Sequence, residues 1–168
     1  MKDYATATRI TQHTDDAGRI VVRFERFLEA SAQRVWSALT VDDELAVWYA
    51  TRVHMEAVSG GVVTFAFPGG EPFEGAVLSA TPSRELTFTT LDDVLRWQLV
   101  AASEGTMLIL DNVVGHPPHA PYTAAGFHIT LDQLGTFLAY GAGAVQRTEM
   151  PPCDDLVDHY RDVLDEQR

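Results

Sequence analysis

The chain has 168 residues, enough for one domain with a sizeable core and too few for two. Hydrophobic residues make up 46%, with 8 Phe, 5 Tyr, 3 Trp and only 8 Pro, which excludes an intrinsically disordered chain. Twelve Lys and Arg against 24 Asp and Glu give a formal charge of −12, a field that repels phosphate backbones and anionic lipid, so neither a nucleic-acid nor a membrane partner is expected. The single Cys153 cannot form an internal disulfide, and the amino-terminal run MKDYATATRI lacks the apolar stretch of a secretion signal, so a cytoplasmic location is expected. No apolar run approaches the roughly 18 residues of a membrane-spanning helix.

Residues 1–18 show neither a period of 2 nor one of 3.6 and read as a lead-in that at most begins a strand; residues 19–168 read as one domain. The β-branched and aromatic run IVVRFERFLEA predicts a strand ending near Ala30. Ser31 is a natural cap for a short helix carrying Val35, Trp36 and Leu39, and Asp42 reads as the cap of a second with Leu45 and Trp48. From Thr51 to Val114 the period is 2, broken by Gly, Pro, Ser and Asp turns. The spacing predicts strands at about 52–58, 62–67, 72–80, 85–90, 94–101 and 106–114, too close together for crossover helices and therefore an antiparallel meander. After His116-Pro117-Pro118-His119 the period returns to 3.6, and Phe127, Leu131, Leu134 and Leu138 mark one face of a helix of about 20 residues. A last helix, about 154–166, carries Leu156, Tyr160 and Leu164. This order predicts an α+β helix-grip: a curved antiparallel sheet of six to seven strands wrapped around the long helix, with a cavity between them.

Several residue runs resemble a known family. The segment from Arg26 to Thr40, with Val35-Trp36 and Ala38-Leu39-Thr40 leading to Trp48, is similar to the opening of the START-like (Bet v 1-like, SRPBCC) superfamily, in particular the activator of Hsp90 ATPase homologue group. Gly75, Pro82 and Leu86, the Gly105-Thr106 turn, and Gly126-Phe127-His128 with Leu131 and Leu134 resemble that group's later landmarks, with Phe127 in place of a more usual Trp. The resemblance implies the helix-grip and a ligand cavity, but no shared catalytic motif. Hsp90 activation in eukaryotic members relies on a further amino-terminal domain for which this chain has no room.

The expected function is binding of a small hydrophobic molecule, with a cofactor-free cyclase or hydratase and a chaperone-related interaction protein as alternatives. No cofactor is expected, and no G-x-S-x-G, P-loop or H-E-x-x-H motif is present. The candidate cavity residues are Trp48, Phe65, Phe67, Phe73, Leu86, Phe88, Trp97, Leu99, Phe127, His128 and Leu131, with Arg52, Glu56, Glu74, Arg96 and His128 as the polar groups for any chemistry. Trp36 reads as core, and Gly135 as a site of close packing or of pocket room. His116, His119 and Asp111 suggest a metal site by composition, but two prolines should hold the run extended and keep the imidazoles apart, so no metal is expected and the segment reads as a lid loop. Met107 to Leu110 is apolar on both faces of a strand, so Met107 and Ile109 need cover, and a homodimer is favoured.

Overall fold

A computed structural model of the chain describes residues 8–147 and 152–168. Strands β1 (Arg9–Thr14) and β2 (Ile20–Leu28) are followed by helices α1 (Ala32–Thr40) and α2 (Asp42–Trp48). The meander β3 (Arg52–Met55), β4 (Val62–Ala66), β5 (Phe73–Thr81), β6 (Glu85–Thr90), β7 (Asp93–Ala102) and β8 (Gly105–Val113) comes next. Helices α3 (Ala120–Tyr140) and α4 (Asp154–Asp165) complete the chain. The strands form one eight-stranded antiparallel sheet in the order β1-β2-β8-β7-β6-β5-β4-β3, with β1 and β3 at its edges. The fold is thus the expected helix-grip, with one strand more than the pattern predicts. That strand comes from the lead-in, where Arg9–Thr14 pairs with Ile20–Glu25. Its mixed polar sequence RITQHT carries little alternation because only Ile10 is buried.

Period-2 alternation places the core. Phe24, Leu110, Trp97 and Leu86 are register partners across β2, β8, β7 and β6, and all four are at most 2% exposed. The face shared by Leu86, Phe88, Trp97 and Leu99 is therefore the inner face of the sheet, as the alternation requires. α3 lies against it with Leu131 and Leu134 buried and Phe127 and Leu138 packed at the margin. α4 docks on α3 through Val157, Tyr160 and Leu164; Leu156, read as part of that face, is only partly buried.

Local chemistry explains the helix starts. The Ser31 hydroxyl accepts from the Arg34 N–H at 3.1 Å, an ordinary side-chain cap. Asp42 does not cap α2, whose N-cap is Val41. Its carboxylate accepts instead from the Met55 N–H at 2.9 Å and meets His54 Nδ1 at 2.5 Å, tying the start of α2 to the end of β3. Sequence position cannot separate these roles, because both need a carboxylate at the helix entrance. Trp36 is half-buried at the core margin.

The His54 contact titrates. Hydrogen bonding to Asp42 raises the His54 imidazole above its ordinary value; burial would raise the Asp42 carboxyl, but the bonds from His54 and the Met55 N–H outweigh it and hold it low. The contribution of a raised imidazole is complete below about pH 6.5 and is lost as pH rises through the folded-state value. Asp42 keeps its share above about pH 3.9. The thermal unfolding midpoint of the wild type should decline as pH rises above about 6.5, by an increment that His54→Gln removes; parallel profiles for the two proteins would show the contact absent in solution.

The residues that carry the family resemblance have architectural jobs. A Cβ on Gly75 would lie 1.8 Å from the Thr89 carbonyl oxygen, and one on Gly105 2.2 Å from that of Leu28, so only glycine admits these strand approaches. The Thr106 hydroxyl donates to the Ala30 carbonyl at 2.7 Å. Gly135 marks close packing: the Arg26 guanidinium, reaching inward from β2, lies 2.4 Å from where its Cβ would be and pairs with Asp132 at 2.5 Å.

A candidate ligand pocket at the mouth of the grip

The space between sheet and α3 is divided. Its deep part, lined by Leu39, Leu45, Trp48, Tyr49, Val53, Met55, Phe65, Leu86, Phe88 and Trp97, is reduced to a void of about 10 Å³. At the mouth, where the first turns of α3 pass over the β6–β7 turn, two open pockets of about 200 Å³ and about 780 Å³ adjoin and share Phe67, Thr90, Asp93, Thr123 and Phe127. Tyr49 and Phe65 line both the void and the smaller open pocket, so these two rings form the partition between them.

The candidate residues separate along this axis. Trp48, Phe65, Leu86, Phe88 and Trp97 surround the closed void, and Leu99 and Leu131 are buried core and line neither the void nor the two mouth pockets. Phe67, 45% exposed, and Phe127 line the open mouth. Phe73 stacks on Phe65 and Phe67, with ring centroids 5.0 and 5.9 Å apart. Phe127 contacts Trp97 edge-on at 6.1 Å, and Trp97 contacts Trp48 at 6.4 Å, which links the mouth to the core through aromatic rings.

His128 lies on a different side of α3. Its Nδ1 meets the Tyr160 hydroxyl at 2.6 Å, its Nε2 is 3.6 Å from Asp132, and it lines a pocket of about 390 Å³ toward α4. The other polar candidates, Arg52, Glu56, Glu74 and Arg96, are exposed and point away from the mouth. The pleat is the reason: Arg52, Glu74 and Arg96 are each one residue from an inward neighbour, Val53, Phe73 and Trp97, so alternation turns them outward.

Among the polar groups that do reach the mouth are Asp93 and Asn112. The Asn112 side-chain N–H donates to Asp93 at 2.8 Å, and the same carboxylate accepts from the Gly115 N–H at 2.8 Å. Both share the inward parity of their strands, Asp93 with Leu95 and Trp97, Asn112 with Leu108 and Leu110, and parity alone would have revealed them. The His116 and His119 rings also line the larger pocket. They come within 4.5 Å of each other because Pro117–His119 is a 3-10 turn, not the extended run expected from two prolines. No group of three or more His, Cys, Asp or Glu is placed to hold a metal among the described residues.

The wall at Tyr49 is held by side chains from α3 and beyond. Gln133 Nε2 donates to the Trp48 carbonyl at 3.0 Å, and Arg147 donates to the carbonyls of Ala46 and Tyr49 at 3.3 and 2.9 Å, satisfying the open end of α2. Burial raises the Tyr49 phenol well above its ordinary value, so it stays protonated and cannot act as a phenolate base near neutral pH.

The mouth pocket thus sits where the helix-grip opens, on a chain whose landmark residues match one family model, that of Activator of Hsp90 ATPase homolog 1-like protein, over residues 29–139. The chain belongs to that family. Solved structures with the same fold include EF2215 of Enterococcus faecalis, a conserved protein of unknown function, at TM-score 0.78 and 21% identity over 95% of this chain and 92% of that one. CalU16 of Micromonospora echinospora matches at TM-score 0.71 and 22% identity, covering 97% and 98%. The Aha1 dimer of Colwellia psychrerythraea matches at TM-score 0.60 and 19% identity, covering 72% and 97%. No curated protein sequence matches the chain. Identities at this level establish the family fold, not a shared ligand. No helix among the described residues is long and apolar enough to cross a membrane.

Proposed function

We propose that this protein binds a small, largely apolar molecule at the mouth of the grip, between Phe67 on the sheet side and Phe127 on α3. The observation that supports it is the pair of adjoining pockets, open to solvent and walled by aromatic rings, with a few placed polar groups, Asp93 and Asn112 among them. That combination is how small-molecule sites are generally built. A neutral aromatic probe such as 1-aminoanthracene should bind saturably. Phe67→Ala should weaken it by about tenfold, equivalent to roughly 1.4 kcal/mol, while the unfolding midpoint hardly moves, since Phe67 is half in solvent. Equal affinities in the two proteins would place the probe elsewhere.

The Asp93–Asn112 pair also supports a second reading, a cofactor-free cyclase or hydratase with Asp93 as its acid-base group; Asp93→Asn would then abolish turnover but spare binding. The exposed Cys153 suits a cytoplasmic location.

Self-association rests on a separate surface. Phe27, Met107 and Val100 are register neighbours on the outer face of β2, β8 and β7, and Val100 is 52% exposed. With Ile109 they form an apolar strip that a second copy would cover, as the dimeric state named for the Colwellia protein suggests. Sedimentation at high micromolar concentration should show a dimer that Met107→Lys converts to monomer; a monomeric wild type would mean that this strip is not a subunit interface.

A further inference from the structure

The indole Nε1 of Trp97 is buried and has no hydrogen-bond partner, although an indole N–H inside a protein normally finds one. The other indole of this core, Trp48, donates to the Ala38 carbonyl at 2.9 Å. Trp97 lines the void of about 10 Å³, close to the space of a single oxygen-sized sphere. The rest of that void is walled chiefly by aliphatic and aromatic side chains, where a water molecule would lack the two to four polar partners that hold buried water. The Tyr49 and Phe65 rings line both the void and the open pocket of about 200 Å³.

We infer that the ligand of the mouth pocket carries a carbonyl or similar uncharged acceptor oxygen, which passes between Tyr49 and Phe65 and accepts a hydrogen bond from Trp97 Nε1. This specificity rests on the mouth-pocket reading and extends it. An apolar body stays between Phe67 and Phe127, and the oxygen fills a space in which it completes an unpaired donor. An ionised carboxylate fits poorly, because no cationic side chain lines the void and an unpaired charge there would be strongly disfavoured. Recognition by a buried donor also discriminates well, since a ligand without the oxygen leaves the indole unpaired.

The test uses two probes of nearly the same shape, 2-acetylnaphthalene and 2-isopropenylnaphthalene, in which a ketone oxygen replaces a methylene. Each is titrated by displacement of 1-aminoanthracene, and the Trp97 indole proton is followed by nitrogen-15 NMR in the wild type. The ketone should bind about tenfold more tightly than the alkene, should move the Trp97 indole proton downfield, and should lose its advantage in Trp97→Phe. Equal affinities with a stationary indole proton would overturn the carbonyl assignment and leave mouth binding intact. If 1-aminoanthracene itself fails to bind saturably, the mouth-pocket reading falls and this inference falls with it. The wild-type indole resonance gives the answer even if Trp97→Phe is poorly folded.

Discussion

Leu131→Ala is expected to destabilise the protein by about 2–5 kcal/mol, read as a shift in the denaturant midpoint at constant slope. Leu131 is 1% exposed, faces the sheet from the middle of α3 and lines neither the void nor the mouth pockets, so its removal leaves a hole that the neighbouring rings cannot fill without moving. A leucine lining an open cavity would cost clearly less than one packed in the core. The filled interior selects the larger loss. Because the binding site lies nearer the start of the helix, that loss should leave 1-aminoanthracene binding to the folded variant within about threefold of wild type. A loss clearly below 2 kcal/mol would show that the interior is looser than the structure indicates.

Thr123→Trp should have the largest effect on binding. Thr123 sits on α3 at the junction of the two open pockets and is partly buried there, so an indole at this position occupies the space shared by Phe67 and Phe127. Affinity for the probe should fall by about a hundredfold, and stability should change by no more than about 1 kcal/mol, since the added ring fills a groove and not the packed core. Unchanged probe affinity in a folded Thr123→Trp protein, checked by isothermal titration, would separate the probe's site from the mouth.

The two predictions reflect how unevenly the sequence reports on this molecule. Alternation in β6 and β7 placed Leu86, Phe88, Trp97 and Leu99 on one inner face, and the stripe through Leu131 and Leu134 set the helix against it. These features are local or periodic, which is why they can be read without coordinates. Strand β1 escaped because an edge strand with one buried side chain, Ile10, has almost no pattern to show. The division of the cavity was not readable at all. Whether inward rings leave a space depends on how they interdigitate across β3 to β7 and α2, and that is a property of packing between segments far apart in sequence. The polar groups show the limit of reading chemistry without parity. Arg52, Glu74 and Arg96 have suitable chemistry but a parity that turns them outward, whereas Asp93 and Asn112 have the inward parity. His116 and His119 came together through a 3-10 turn that a Pro-Pro pair starts as readily as it extends a chain.

The arrangement also gives the filled interior a functional meaning. Rings in contact from Phe127 through Trp97 to Trp48 connect the mouth to the core, so a ligand seated on Phe127 is two aromatic contacts from Trp48. The α2 carbonyls held by Gln133 and Arg147 keep Tyr49 in position behind it, so the floor of the pocket is set by groups on three different segments.

The most direct measurement is a map of backbone amide shifts in nitrogen-15 labelled protein titrated with 1-aminoanthracene. Saturable shifts are expected to concentrate at Phe67, Thr90, Asp93, Gly115, Thr123 and Phe127, the residues in and beside the mouth pocket. Shifts concentrated instead at Ile129, Asp132, Thr136 and Gln146 beside α4, or at Phe27, Val100 and Met107 on the outer face of the sheet, would contradict a mouth site.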